Sequence, residues 1–364
     1  EAPVLDRPVK RPEYLDKISS IKLEDFTLPS NQEAFEKIVS SIEVVDKSWV
    51  YEQYDSMVQT NTVKKGGDLD GSVIRVKENG RAIAMSSDCN PRYCYIDPKG
   101  GAAAAVMESG RNVAMTGARP LAITDCLNYG NPENPEVMWQ FAQGCEGIKE
   151  ACLKLNTPVT GGNVSLYNET NGISVFPTPT IAMVGVNDSQ ERVLPSAFQS
   201  EGNTILLIGE TKKEFGGSIY LKELFGVTGG KLPDIDYDRE LALWDLVIEA
   251  NRNGLLEAAK DLNVGGLAIA AAKMAAVGGL GAKIEVDLGE EVNIFSESFS
   301  RALLEVKEEN IQSVAEMAKE RGLKCVVAGR VGGDVLRIND VAIEMGHLKE
   351  IYFTTFKRII EQDI

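Results

Sequence analysis

Four short stretches gather the residue types that bind metal ions and phosphates. Gly66-Gly67-Asp68-Leu69-Asp70-Gly71 sets three glycines and two carboxylates in six residues. Such a loop bends sharply and presents oxygen ligands, and a plain turn before a strand has the same composition. Ser86-Ser87-Asp88-Cys89-Asn90-Pro91 closes an apolar run and ends in a proline break. A carboxylate at a strand end can hold a hydrated Mg2+; an Asx turn accounts for the pattern equally well. In Thr124-Asp125-Cys126-Leu127-Asn128-Tyr129-Gly130-Asn131-Pro132, Asp125 again ends an apolar run and a polar loop follows. The fourth stretch is Thr160-Gly161-Gly162-Asn163-Val164-Ser165-Leu166-Tyr167-Asn168-Glu169. Its glycines let the backbone approach a ligand, Asn163 offers a neutral oxygen suited to Mg2+, and Ser165 offers a hydroxyl for phosphate or a polar substrate. If the strands before Asp125 and Gly162 are neighbours, these groups converge on a Mg–nucleotide corner. Neither a P-loop nor a dinucleotide fingerprint is present, and structural turns remain the other reading.

Two further stretches lie later in the chain. Asp261-Leu262-Asn263-Val264-Gly265-Gly266-Leu267 opens a helix, and a Gly-Gly pair at a helix N-terminus is a potential anion site. Phe295-Ser296-Glu297-Ser298-Phe299-Ser300-Arg301 packs three hydroxyls beside a carboxylate and a guanidinium. Capping and loop chemistry explain both as well. The one histidine, His347, has no nucleophile or metal-ligand spacing around it and reads as a surface or loop residue. The six cysteines form no CxxC pair, so they read as idle thiols in a reducing compartment rather than a zinc site.

The elements that must position these groups follow from pattern. Residues 1–30 hold four prolines and read as an extended linker, and Asn31 could cap a short helix through Ser41. Ser72–Val76, Arg81–Ser86, Leu121–Asp125, Pro158–Thr160 and Thr180–Val186 read as strands. The small residues of Gly100–Gly117 suit a helix packed tightly on a sheet. Pro135–Leu155 is the clearest helix, with Val137, Phe141, Ile148, Cys152 and Leu155 on one face. A boundary falls near 187–202. Beyond it, strands are expected at Thr204–Ile208, Ala282–Val286, Ala302–Val306 and Lys324–Ala328. Helices are expected at Arg239–Arg252, Gly265–Val277 and Glu309–Arg321.

Composition bounds the partners. The 364 residues carry 38 basic and 54 acidic side chains, a formal net charge of −16. No basic footprint exists for nucleic acid, and no run approaches the ~18 apolar residues of a membrane span. The first residues lack a signal peptide's apolar core, and the missing initiator Met fits a fragment or a processed chain. A cytoplasmic protein is expected.

Taken in order, several strings resemble one family. They are Trp49-Val50-Tyr51-Glu52-Gln53-Tyr54-Asp55, Asn61-Thr62-Val63, Ser87-Asp88-Cys89-Asn90 and Gly117-Ala118-Arg119-Pro120-Leu121-Ala122-Ile123-Thr124-Asp125. Leu127–Pro132, Thr160–Glu169, Phe176-Pro177-Thr178-Pro179 and Phe295-Ser296-Glu297-Ser298 continue the likeness. It is to the synthetase subunit of phosphoribosylformylglycinamidine synthase, and it spans essentially the whole chain.

That resemblance implies an α+β fold of the aminoimidazole ribonucleotide synthetase type. Residues 1–48 would be a linker and short helix, 49–188 an N-terminal sheet domain, and 189–364 a C-terminal α+β domain. The family's synthetase has two such halves, and this chain resembles the second. The first half carries the catalytic histidines and a Glu-Ser-His-Asn-His-Pro segment, which a chain with only His347 cannot supply. Implied is ATP-dependent amidation of formylglycinamide ribonucleotide in purine synthesis, with ammonia from a glutaminase subunit. The amide oxygen is phosphorylated, and ammonia then displaces phosphate. A glutaminase subunit, a small bridging subunit, the missing N-terminal half and a homodimer are the implied partners.

By the same likeness Asp125 and Gly162 would contact ATP, Asn163 would ligate Mg2+, and Ser165 would touch the ribonucleotide. Asp88 would hold a metal in this half's own duplicated pocket. Family members commonly read Asp-Val-Ser-Glu-Gly-Gly-Leu where Asp261–Leu267 stands, so Val264 replaces a carboxylate and weakens metal binding there. The alternatives are a structural nucleotide-binding half without its own activity, or another ATP-using enzyme of the superfold.

Overall fold

In a computed structural model, described over residues 6–64, 67–289 and 293–362, the chain builds two large sheets around one shared helix, with a small two-stranded ribbon, Glu169–Thr170 and Ile173–Ser174, beside the first. The first thirty residues are not simply extended. They hold α1 (Tyr14–Ser19) and a single 3-10 turn, Leu23–Asp25. Leu15 and Leu23 are buried, and the Tyr14 ring stacks on Tyr95 at 4.5 Å. Prolines restrict backbone angles but do not keep apolar side chains from docking. Helix α2 (Asn31–Val39) starts one residue earlier than expected, with Ser30 as cap rather than Asn31. Ser30 Oγ accepts from Glu33 N at 3.2 Å, and Glu33 Oε2 accepts from Ser30 N at 2.9 Å, a capping box.

The first sheet contains β1 (Ser72–Val76), β2 (Arg81–Asp88), β3 (Arg119–Asn128), β4 (Val159–Ser165) and β5 (Thr178–Asn187). Its order is β1-β2-β5-β3-β4. All neighbours are antiparallel except β3 and β4, which run parallel. A parallel pair needs a crossover, and the long helix between those strands supplies it. Pro91 does not end structure but starts α3 (Pro91–Ile96), with Asn90 as cap. Pro likewise opens α4 (Pro98–Met115) behind the cap Asp97, and α5 (Pro135–Leu155) behind Asn134.

Helix α4 is buried on almost every side. Its small residues allow this. A Cβ on Gly101 would meet Cys94 N at 2.4 Å, and one on Gly110 would meet the Trp244 ring at 2.3 Å.

The second sheet uses β6 (Thr204–Ile208), β7 (Ala258–Asp261), β8 (Ala282–Ile284), β9 (Ala302–Val306), β10 (Cys325–Val331), β11 (Val335–Ile338) and β12 (Val341–Glu344). Its order is β12-β11-β8-β10-β6-β9-β7. Around it pack α6 (Ile219–Phe225), α7 (Tyr237–Arg252), α8 (Gly266–Gly278), α9 (Ile311–Glu320) and α10 (Met345–Gln362). Sequence pattern did not indicate α3, α6, α10, β7 or the β11–β12 hairpin. None of the helices is long and apolar enough to cross a membrane, among the described residues.

Candidate functional site

The first site candidate is the strand pair β3–β4. The two runs are neighbours, with Asp125 opposite Gly162, Cys126 opposite Asn163 and Asn128 opposite Ser165. A Cβ on Gly162 would lie 2.2 Å from Asp125 Oδ1, so a larger residue there would displace the carboxylate from its present position. The carboxylate therefore rests against bare backbone. It makes no side-chain hydrogen bond or ion pair among the described residues, and partial burial raises its pKa. Its charge in turn reaches the thiol of Cys145 on α5.

The four groups do not meet at one point. Strand side chains alternate between faces. Asp125 and Gly162 stand in register with Ile181, which is wholly buried beneath the helices. Asn163 and Ser165 belong to the other face, which no helix covers among the described residues, together with Thr124 and Cys126. Ser165 is tied locally, its Oγ donating to Asn168 Oδ1 at 3.3 Å. The Asn163 side chain is exposed and has no partner among the described residues. β4 is the edge of the sheet and is exposed along nearly its whole length.

Asp88 extends the same row. It pairs with Ile181 from the opposite side, so Asp88, Ile181, Asp125 and Gly162 cross four strands in line. At the usual strand spacing this puts Asp88 and Asp125 roughly 10 Å apart on one face. Asp88 opens into a second place, a cavity of about 1130 Å3 lined also by Tyr51, Asp70, Ser86 and Asn112.

Behind that cavity lies a buried cluster of charge. Glu108 and Arg111 come from α4, Glu240 from α7, and Lys260 and Asp261 from β7. Arg111 and Glu240 are wholly enclosed and paired, Nε to Oε1 at 3.1 Å. Lys260 Nζ donates to Asp70 Oδ1 at 2.6 Å and to Asp261 Oδ1 at 3.0 Å. Asp70 Oδ2 accepts from Asp261 N at 2.9 Å. Glu108 Oε1 accepts from Asn263 Nδ2 at 2.5 Å.

The fields are unequal. Burial and the Glu108 charge push Asp88 well above the usual carboxylate range. Burial and Asp261 push Glu108 up to about 7. Burial also opposes ionisation of Asp261, yet Lys260 and Arg111 overcome it and hold Asp261 low.

The donor chemistry distinguishes the two places. At the strand edge, the unpaired Asp125 carboxylate beside the Gly162 backbone and the unpaired Asn163 carboxamide on the opposite face are separate candidate ligands. In the cavity, Asp88 is the candidate ligand; among the described residues no three carboxylate, thiol or imidazole groups form an all-protein metal shell, and Lys260 engages the neighbouring Asp70 and Asp261.

The remaining candidates are structural. Gly265 N does bind an anion, but an internal one: Glu297 Oε1 accepts from Gly265 N and Ile219 N, each at 2.9 Å. Tyr93 also donates to Glu297. Arg301 is buried, donating to Ser298 O at 2.8 Å, Ser296 O at 2.6 Å and Thr211 Oγ1 at 2.9 Å. His347 is exposed near the start of α10. All six cysteines are free. Gly66 lies outside the described residues.

Sequence reasoning missed Glu108, Arg111 and Lys260. Their signal was charge inside runs of Ala and Gly, where ionised groups survive only when paired.

Comparisons with known proteins bear on both sheets. Residues 68–187 match the N-terminal domain of AIR synthase related proteins, and 200–339 match the C-terminal domain. The chain is 67% identical over 364 residues to phosphoribosylformylglycinamidine synthase subunit PurL of Sulfurovum sp., covering 100% of itself and 49% of that protein. The subunit of Sulfurimonas denitrificans gives the same 67%, 100% and 49%. The chain thus spans about half the length of the curated relatives it matches.

Among solved structures, Thermotoga maritima PurL complexed with FGAR superposes with a TM-score of 0.70 at 20% identity, over 88% of this chain and 54% of that one. The ATP complex gives 0.65 at 21%, over 93% and 52%. PurLQS from the same organism gives 0.67 at 21%, over 94% and 54%. These likenesses fix the shared fold.

Proposed function

The chain belongs to the AIR synthase related family, and from that premise we propose that it is the second half of a phosphoribosylformylglycinamidine synthase synthetase subunit. In this reading residues 49–188 and 189–364 are the second copies of the family's two domains. The half supplies part of an ATP, Mg2+ and formylglycinamide ribonucleotide site and does not turn over alone. ATP with Mg2+ would supply the activation of the formyl amide oxygen.

One observation carries the reading. β3 and β4 run parallel at the sheet edge, and Gly162 leaves the Asp125 carboxylate unpaired beside open backbone. A carboxylate with no protein partner and its oxygens open to solvent is free to engage a ligand. Asp125 and Gly162 are proposed to contact the nucleotide. Asn163, on the uncovered face, would ligate Mg2+, and Ser165 would meet the ribonucleotide. Two faces are not a contradiction if the missing N-terminal half wraps the β4 edge.

The uncovered face supports such a mate. It exposes Met85 and Val184 among polar residues, with relative accessibilities of 36% and 38%. Without the mate, a second copy of this chain would be the natural substitute. A glutaminase and a small bridging subunit are the further partners expected, and PurLQS of T. maritima is a multi-subunit precedent.

Calorimetry with Mg·ATP tests the site on the wild type, Asp125→Ala and Asn163→Ala. Binding lost in both variants is the expected result. Binding that survives both removes the strand-edge assignment.

A further inference from the structure

Behind the cavity that Asp88 and Asp70 line, two carboxylates are gathered around a protein cation. Lys260 lies on β7, the edge strand of the second sheet, and Asp70 lies just before β1 of the first. Their side chains meet across 190 positions of sequence. The ammonium sits 2.6 Å from Asp70 Oδ1 and 3.0 Å from Asp261 Oδ1. The second Asp70 oxygen is taken by the Asp261 backbone N–H. Three of the four oxygens that could ligate an ion are therefore committed. The fourth, Asp261 Oδ2, is buried and has no hydrogen-bond partner. Beyond it Arg111 is fully enclosed, and its two terminal nitrogens also lack partners.

We propose that the Lys260 ammonium is the resident cation between Asp70 and Asp261, occupying the position that a divalent ion bridging them would need. Two facts agree. A monovalent donor with three hydrogens suits two carboxylates that approach from different elements. With three of their four oxygens already committed, the carboxylates leave a metal a single free oxygen. The pin between the two sheets is consequently independent of metal, and chelators leave it intact. The inference does not depend on whether the strand-edge corner binds a nucleotide.

Mn2+ is the probe, followed by loss of its free paramagnetic signal and by thermal unfolding. Wild type and Asp70→Asn should bind the same amount of Mn2+, because no ion uses Asp70. Lys260→Ala vacates the position between two carboxylates. It should melt several degrees lower, gain an additional Mn2+ and recover stability with it. Adding Asp70→Asn to Lys260→Ala should abolish that gain. A wild-type Mn2+ site that disappears in Asp70→Asn overturns the proposal. So does a folded Lys260→Ala that gains no ion. Should Lys260→Ala fail to fold, the comparison of wild type with Asp70→Asn decides alone.

Discussion

The Arg111–Glu240 pair is the most demanding pairing of residues in the molecule. Both side chains are fully enclosed, and Glu240 also accepts from Trp244 Nε1 at 2.8 Å and Ser300 Oγ at 2.6 Å. Removing one partner strands a buried charge. Glu240→Leu should therefore cost about 3–5 kcal/mol, while Arg111→Leu combined with Glu240→Leu should recover part of the loss. Urea midpoints of the two variants measure this, and equal midpoints for single and double variants would sink it. Titration offers a second residue-scale test. Burial raises the thiols of Cys152 and Cys325 from 9.0 to about 11. A raised acid binds its proton more tightly when folded. That stabilisation is complete below about pH 9 and is lost as pH rises through about 11. Cys152→Ala should flatten the alkaline decline in unfolding midpoint; an unchanged slope would remove Cys152 as its source.

Elements explain why parts of this fold were legible and others were not. Helix α5 could be read to the residue, because its apolar positions repeat at helical spacing behind an Asn-Pro start. Strands β1, β6 and β9 matched their apolar runs end to end. The glycines and carboxylate of β3 and β4 make Asp125 and Gly162 legible as neighbours, whereas the alternation of faces that separates Asn163 from Asp125 depends on the register of the pair. β7 had no local signal at all. Its four residues are Ala-Ala-Lys-Asp, and partners far away in sequence make them buriable. The close contact of α4 with α7 was half legible, in glycine content but not in partner. Gly110→Ala drives a Cβ into Trp244 at 2.3 Å and should destabilise by about 1–3 kcal/mol. Trp244→Leu in the same chain should relieve part of that strain; a double-mutant cycle with no coupling would show that the helices separate freely.

At the scale of the whole molecule, the uncovered face of the first sheet predicts association. Edge strands and half-apolar faces left open invite pairing with another chain. Sedimentation of the chain should show a concentration-dependent dimer that Val184→Lys weakens, and a strictly monomeric wild type would contradict this. The −16 net charge opposes self-association at low salt, so the dimer should strengthen as salt screens it.

Helix α4 has one more consequence. It belongs by sequence to the first sheet, yet Gly110 receives Trp244, Arg111 pairs with Glu240 and Glu108 takes Asn263 from the second. The two matched domains are therefore expected to unfold as a single unit. Heat or urea should melt both sheets in one transition, and residues 200–339 expressed alone should not hold a native core. The junction between the two matched domains is not expected to be a place at which this chain comes apart.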